Sequence, residues 1–367
     1  MVALLSAEGS VCLHDNTGTI EMRPDEKLDI QTLQGFLASK LPNAEGQLQL
    51  RQFATGAANL TYLLRYHNAE FVLRRPPLGS VAPGSHDMQR EYTILNNLYQ
   101  EFPLAPRVYF FYADDDIIGA PFFVMERRAG YVINDTLPRC IAASNSKKTE
   151  LAWMMIDTLA ELHRVDPDKV SLGHLGQPNG FAQRQLDGWI KRWRNAEGQA
   201  YAGADEIISL LEKSIPNPQC ISLLHNDFKL NNIIVTHENP CKPSAVVDWD
   251  MCTRGDPLFD LGLLLTYWTE PGDNPLTTQA ATMPEFFKGG FPSRLEAINR
   301  YAKKTNLNME NIHWYMIFGI FKLMGILQQI YIRYQRGQTK DLRFKNFDYR
   351  IRNLIIKAND LSCSCQK

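Results

Sequence analysis

Apolar residues in this chain change period partway along. Between residues 48 and 126 they mark short runs of strand type, and beyond Gly130 they recur every three or four positions. Segments 48–53, 60–66 and 70–74 read as strands, the last two joined at His67-Asn68, and 108–113 and 122–126 as a further pair, which together suggest an antiparallel meander. Asp29 is placed to cap a helix carrying Leu33, Phe36, Leu37 and Leu41 on one face. A helix over 87–99 would turn Met88, Tyr92, Leu95 and Tyr99 inward. In the second half, helices are expected over 150–164, 183–195, 260–268, 294–305, 311–336 and 341–361. Short strands at 221–224, 233–236 and 245–248 are embedded among them. The class is α+β: a small antiparallel-sheet N-lobe (28–127), a larger mostly helical C-lobe (128–367), and a polar, turn-rich arm (1–27) ahead of them.

Composition narrows the function. The 39 basic and 40 acidic residues leave a net charge of -1, so nothing draws the whole chain to nucleic acid or an anionic membrane. The 314–332 stretch is apolar, yet it holds Lys322, Gln328 and Gln329 and is periodic, and so reads as a buried helix rather than a membrane span. Seven cysteines at scattered spacings, with no CxxC pair, fit reduced thiols in a cytoplasm. The first residues lack the basic segment of a secretory signal.

The densest chemistry lies in His225-Asn-Asp-Phe-Lys-Leu-Asn-Asn232, between two apolar strands. Phosphoryl transfer to a hydroxyl needs a carboxylate to orient or deprotonate the nucleophile, a cation beside it, and oxygen ligands for a metal. Asp227, Lys229 and Asn232 supply these at the spacing HxDxKxxN. His225 is expected to hydrogen-bond the loop backbone. Twenty-one residues after Asp227, Asp248 ends an apolar strand and joins Asn232 as a candidate Mg²⁺ ligand. Asp250 either supports that site or is a solvated turn residue. Asp256 or Asp260 is expected to cap the next helix, with steadying of the catalytic loop as the alternative for Asp260.

His225-x-Asp227-x-x-x-x-Asn232 with Asp248-Trp249 resembles the aminoglycoside phosphotransferase superfamily, which shares the protein-kinase fold. Gly56-Ala-Ala-Asn-Leu-Thr-Tyr, Val72-Leu-Arg-Arg-Pro-Pro-Leu-Gly, Arg90-Glu91-Tyr92, Gly119-Ala-Pro-Phe-Phe-Val-Met-Glu126 and Leu159-Ala-Glu-Leu-His163 are similar to its branch found in acyl-CoA dehydrogenase fusion proteins. The resemblance implies a bilobal kinase-like fold, ATP and Mg²⁺ as cofactors, and a nucleotide-binding N-lobe. Gly56, Ala57, Ala58 and Asn59 would cover the phosphates. Arg74, standing where kinases carry lysine, would pair with the phosphates and with Glu91; a surface arginine and a solvated helix face are the bland alternatives. Met125, Glu126 and Arg127 would form the hinge that reads adenine.

Asn226 replaces the arginine of regulated protein kinases, and only six residues separate Asp248 from Gly255, leaving no long activation segment. A small-molecule hydroxyl acceptor therefore fits better than a protein. It would lie over 180–215 and 280–340; within 180–200, Arg184, Lys191, Arg192 and Arg194 outnumber Asp187 and Glu197. Trp189, Trp193, Tyr201, Trp268, Phe286 and Phe287 add aromatic surface in the same half of the chain. An acidic or partly apolar acceptor is expected, and the resemblance to the branch found in acyl-CoA dehydrogenase fusion proteins implies a hydroxyacyl compound or its CoA thioester. Aminoglycosides, sugars and amino alcohols remain alternatives, as does a non-catalytic nucleotide-binding scaffold of acyl-CoA metabolism. Oligomeric state is not legible.

Overall fold

A computed structural model describes residues 18–54, 59–79, 86–134, 136–196, 198, 200–278, 289–339 and 341–364. Gly56, Ala57, Ala58, Pro83, Gly84, Phe286 and Phe287 fall outside these. The chain divides into two compact units, the first made of residues up to Tyr92 plus Val108–Arg127, the second of Thr93–Arg107 plus Arg128 onward.

The first unit is built on an antiparallel sheet of six strands. They are β1 (Thr19–Ile20), β2 (Gln49–Phe53), β3 (Leu60–Arg65), β4 (Glu70–Arg75), β5 (Val108–Tyr112) and β6 (Phe122–Glu126), in spatial order β1-β2-β3-β4-β6-β5. Thr61 lies opposite Arg74, and Leu73 opposite Val124. β2 alternates in burial as its pattern predicts, whereas β4 is buried at every position after Glu70. Helix α1 (Ile30–Leu37) starts where the Asp29 carboxylate accepts the Gln31 and Thr32 N–H groups, at 2.9 and 3.4 Å. It lays Leu33 and Leu37 on a core of Tyr62, Leu64, Leu73, Phe122 and Val124.

Part of the expected arm is structured. β1 pairs with β2, the Arg23 N–H donates to Gln52 Oε1 (3.0 Å), and the Tyr62 hydroxyl donates to the Glu26 carbonyl (2.7 Å). The edge backbone of β2 recruits a segment that has no apolar periodicity of its own. Helix α2 (Met88–Leu98) begins in the first unit, and its buried face includes Met88, Glu91, Ile94, Leu95 and Leu98. Tyr92 and Tyr99, expected inward, are only half-buried.

The second unit holds the remaining elements. Helices α3 (Arg139–Ala142), α4 (Asn145–His163), α5 (Phe181–Asn195) and α6 (Ala204–Lys213) come first. Strand β7 (Tyr131–Val132) pairs with β9 (Ile233–Val235), which pairs with β10 (Pro243–Val246). β8 (Ser222–Leu224) pairs separately with β11 (Thr253–Gly255). Then follow α7 (Leu258–Tyr267), α8 (Pro275–Thr278), α9 (Arg294–Thr305), α10 (Ile312–Gln335) and α11 (Phe347–Ser364). α10 is long and apolar enough to cross a membrane, but 78% of its most apolar window is buried in the structure, as befits a core helix. It crosses α7 at close range. A Cβ at Gly319 would meet Thr266 Oγ1 at 2.6 Å, and one at Gly262 would meet the Tyr315 backbone at 2.6 Å. The two glycines let the helices interlock.

Candidate active site

In the second unit, residues 225–232 link β8 to β9 and are thus pinned by two separate small sheets. Asp227 is the focus of this loop. Lys229 Nζ lies 2.9 and 2.8 Å from its two oxygens, and Asn232 Nδ2 donates to Oδ2 at 2.9 Å and to the Asp227 carbonyl at 2.9 Å. Because the Asn232 amide nitrogen is spent on Asp227, the amide oxygen is the atom it can offer a cation. The Val247 N–H donates to the Asn232 carbonyl at 2.9 Å, which brings the neighbouring Asp248 alongside. Asp248 lies two residues past β10 rather than inside a strand, and its backbone is left-handed, φ 73°. The expected strand over 245–248 is therefore shifted to Pro243–Val246. Trp249 is buried beneath this turn, with Nε1 donating to the Val246 carbonyl at 2.8 Å and its ring 4.7 Å from that of His225.

Among the described residues no group of three or more His, Cys, Asp or Glu side chains could cage a metal. One carboxylate and one amide oxygen nevertheless suit Mg²⁺, which takes few protein ligands and completes its shell with substrate phosphates and water. The donor set fits that ion.

Both ring nitrogens of His225 serve the backbone. Nε2 donates to the Val247 carbonyl (3.1 Å), so Nδ1 is the acceptor for the Asp227 N–H (3.3 Å). The ring is fully buried.

Behind the loop stands Asp260, on α7. Oδ2 accepts the His225 N–H at 2.6 Å and Oδ1 accepts the Asn226 N–H at 2.8 Å. His163 Nε2 lies 3.2 Å from Oδ2, and its Nδ1 lies 2.6 Å from the Tyr301 hydroxyl. A carboxylate only accepts, so Nε2 carries the imidazole proton and Nδ1 takes the tyrosine's. Burial by itself raises the Asp260 pKa. The hydrogen bonds from the His163 ring and from the His225 backbone outweigh it and hold the carboxyl below its ordinary range. Asp256 caps α7 instead, accepting the Leu258 N–H (2.9 Å) and the Tyr315 hydroxyl (2.6 Å). Of the two alternatives read for Asp260, the geometry selects the steadying of the loop. His163 and Tyr301 were not singled out as site residues. His163 lies in a quoted motif, but helical periodicity gives no sign of which loop a buried histidine reaches.

In the first unit, Arg74 Nε donates to Glu91 Oε2 at 2.9 Å, and both side chains are at least nine-tenths buried. Arg74 is on β4 and Glu91 in the first turn of α2, so neither is the solvated residue of the bland reading. The pair should behave as a unit. Arg74→Ala and Glu91→Ala are each expected to cost about 3–5 kcal/mol, because each strands a buried charge. In chemical denaturation the double variant should lose at least 1 kcal/mol less than the sum of the singles. Strict additivity would show the pair to be energetically idle. Asn59 is also buried, and its Oδ1 lies 2.8 Å from His86 Nδ1. Met125 and Glu126 end β6, and the Arg127 guanidinium lies 5.6 Å from the Phe53 ring centre.

The helices expected to bind the acceptor give a mixed result. Trp189, Trp193, Tyr201 and Trp268 are core residues, each at most 8% exposed, so their apolar surface is already used in packing. The basic residues are different. Lys191 and Arg192 are exposed and, with Gly188, Asn195, Ala196 and Gln329, line a cavity of about 480 Å³. The four cysteines with described side chains, Cys140, Cys220, Cys241 and Cys252, are free thiols.

Comparison with known proteins places this geometry. The chain is 31% identical over 332 residues to acyl-CoA dehydrogenase family member 11 of Rattus norvegicus, covering 88% of this chain and 42% of that protein. It thus spans about two fifths of the length of the curated relatives it matches. Among solved structures, a Ralstonia eutropha protein assigned to the aminoglycoside phosphotransferases superposes with a TM-score of 0.78 at 24% identity, over 92% of this chain and 99% of that one. The aminoglycoside phosphotransferase APH(4)-Ia, solved with ADP and hygromycin B, gives 0.56 at 14% identity, over 89% and 98%. These likenesses establish the protein-kinase-like fold. The sequence pattern of the phosphotransferase enzyme family (APH) matches residues 49–292, about two thirds of the chain. With that match spanning both the Arg74–Glu91 pair and the Asp227 loop, the chain belongs to the APH phosphotransferase family.

Proposed function

We propose that this chain is an ATP-dependent small-molecule kinase that transfers the γ-phosphoryl group to a hydroxyl acceptor. The observation that carries the reading is the Asp227 constellation: a carboxylate met by Lys229 and Asn232, with Asp248 brought beside Asn232 through Val247. APH(4)-Ia, of the same fold, holds ADP in its crystal structure. In this reading Asp227 aligns the acceptor hydroxyl and takes its proton late in a loose transfer. Lys229 offsets negative charge beside it. Asn232 and Asp248 hold Mg²⁺, which when bound neutralises charge on the phosphate oxygens. His225 keeps the loop backbone in place. Arg74, steadied by Glu91, orients the nucleotide phosphates; an arginine stays charged and offers a bidentate fork for them. The backbone of Met125, Glu126 and Arg127 receives the adenine.

For the acceptor we favour an anionic hydroxy compound, with hydroxyacyl groups or their CoA thioesters as the leading class. Support comes from the basic lining given by Lys191 and Arg192 and from the similarity to acyl-CoA dehydrogenase family members. The free thiols agree with a reducing cytoplasm. A screen of hydroxyacyl-CoAs, free hydroxy acids, sugars and amino alcohols with MgATP, read by mass spectrometry for phosphoryl gain, tests this directly. Transfer to amino alcohols or sugars alone would remove the anionic preference, and transfer to nothing would favour a scaffold. Calorimetric titration isolates the metal. Asp248→Ala is expected to weaken MgATP binding at least about tenfold, with a smaller effect on ATP in EDTA, since one of two protein ligands is lost. Equal affinities for MgATP in variant and wild type would remove Asp248 from the metal site.

A further inference from the structure

Asn226, the residue before Asp227, is gripped through both of its backbone polar groups. Its N–H donates to Asp260 Oδ1 at 2.8 Å, and its carbonyl accepts from Lys322 Nζ at 2.9 Å. Its side chain donates to the Met251 carbonyl at 2.9 Å, and its backbone is left-handed, φ 65°. The two gripping charges come from different helices, Asp260 from α7 and Lys322 from α10, and those helices interlock through Gly262 and Gly319. Asp260 lies two residues before one of these glycines and Lys322 three residues after the other. The close crossing thus delivers a carboxylate to the N–H and an ammonium to the C=O of one residue.

Packing alone does not account for a lysine here. Lys322 is 7% exposed in an otherwise apolar stretch of α10, and burying an ammonium costs several kcal/mol against an apolar residue of similar volume. Around it, the cavity lined by Gln185, Asn226, Phe259, Leu263, Phe318 and Gly319 measures about 10 Å³, room for at most one water. Burial lowers the Lys322 pKa, and the carboxylates of Asp227 and Asp260 work against that shift while Lys229 and Arg192 add to it.

We propose that Lys322 is a positioning residue for catalysis: by holding the Asn226 carbonyl it fixes the peptide plane that carries Asp227. The other end of that peptide, the Asp227 N–H, is held by His225 Nδ1. With Lys322 in place the plane is restrained at both ends. Without it the plane can rock, and the Asp227 carboxylate swings away from the attacking oxygen. Placement errors of about 1 Å at a reacting group cost on the order of 10²-fold in rate.

This inference rests on Asp227 being the nucleophile-orienting group, so Asp227→Asn is assayed alongside. The probe is MgATP with water as acceptor, followed by ADP release. Lys322→Met keeps the length and removes the charge. It is expected to lower kcat about 10- to 100-fold while KM for MgATP stays within about twofold, a loss confined to the transition state. Its melting temperature should hold or rise, because a buried charge is gone. Ile332→Ala, buried farther along α10, should do the reverse, lowering the melting temperature while kcat is kept. If Asp227→Asn abolishes hydrolysis but Lys322→Met leaves kcat intact, or lowers kcat only together with KM and melting temperature, the positioning role is overturned and the kinase reading stands. If Asp227→Asn hydrolyses ATP like wild type, the reading of Asp227 fails and takes this inference with it.

Discussion

Asp227→Asn is expected to bind MgATP as wild type does and to turn over the acceptor about 10²–10⁴-fold more slowly, the usual share of a positioned acid–base group. The substitution keeps size and shape, so the packing of the loop is unchanged. It removes the charge that Lys229 and the Asn232 amide now meet at 2.8–2.9 Å. The hydroxyl proton then has no acceptor of sufficient basicity. In the proposed assignment Asn232 and Asp248 would still be in place for the metal, which is why binding and turnover should separate. Calorimetry supplies the first quantity and steady-state rates with the acceptor from the screen supply the second. A rate within a few-fold of wild type would exclude Asp227 from the chemistry.

A large effect on stability should also come from Asp260→Ala. One carboxylate serves the His225 N–H, the Asn226 N–H and His163, and all three lose their acceptor together. At about 1–3 kcal/mol for each stranded buried donor, less whatever water recovers, the loss should reach about 3–5 kcal/mol. In a chain of this size that lowers the melting temperature by about 4–7 °C. The gap should depend on pH in a defined sense. The folded pKa of Asp260 is depressed, so its contribution is complete above the unfolded value and disappears as pH falls through the folded one. Melting curves of variant and wild type should therefore begin to converge as the pH falls below about 4, the ordinary carboxylate range, and meet only below the depressed folded value. A constant gap from pH 7 to 3 would mean that Asp260 acts through shape rather than charge.

How much of this was legible in the sequence differs by element. The strands of the first unit announced themselves because β2 buries alternate residues and because 60–66 and 70–74 are apolar runs with a two-residue turn between them. The HxDxKxxN spacing was legible because its chemistry is local: Lys229 and Asn232 reach Asp227 from within one loop. What stayed hidden acts across long sequence distances. Asp260 reaches Asn226 over 34 residues, Lys322 over 96, and Tyr301 reaches His163 over 138. Composition and periodicity describe neighbours along the chain and are silent about such partners. The tryptophans of α5 misled for a related reason, since an aromatic pair four apart reads the same whether it faces ligand or core. Residues 18–27 looked unstructured because an edge strand added by backbone pairing needs no side-chain pattern.

The two left-handed residues of the site, Asn226 and Asp248, carry a consequence for how this protein can drift. That region costs most L-residues roughly 1–2 kcal/mol; asparagine and aspartate enter it more readily, and glycine more readily still. Selection on thermal robustness alone would favour glycine at both positions. Glycine at 226 would give up the side-chain tether to Met251, and glycine at 248 the carboxylate of the proposed metal site. A lineage that lost the need for phosphoryl transfer would thus have a downhill path to a sturdier, silent protein. In the proposed reading, asparagine and aspartate at these two places would mark a chain in which strain is kept for the sake of the reaction.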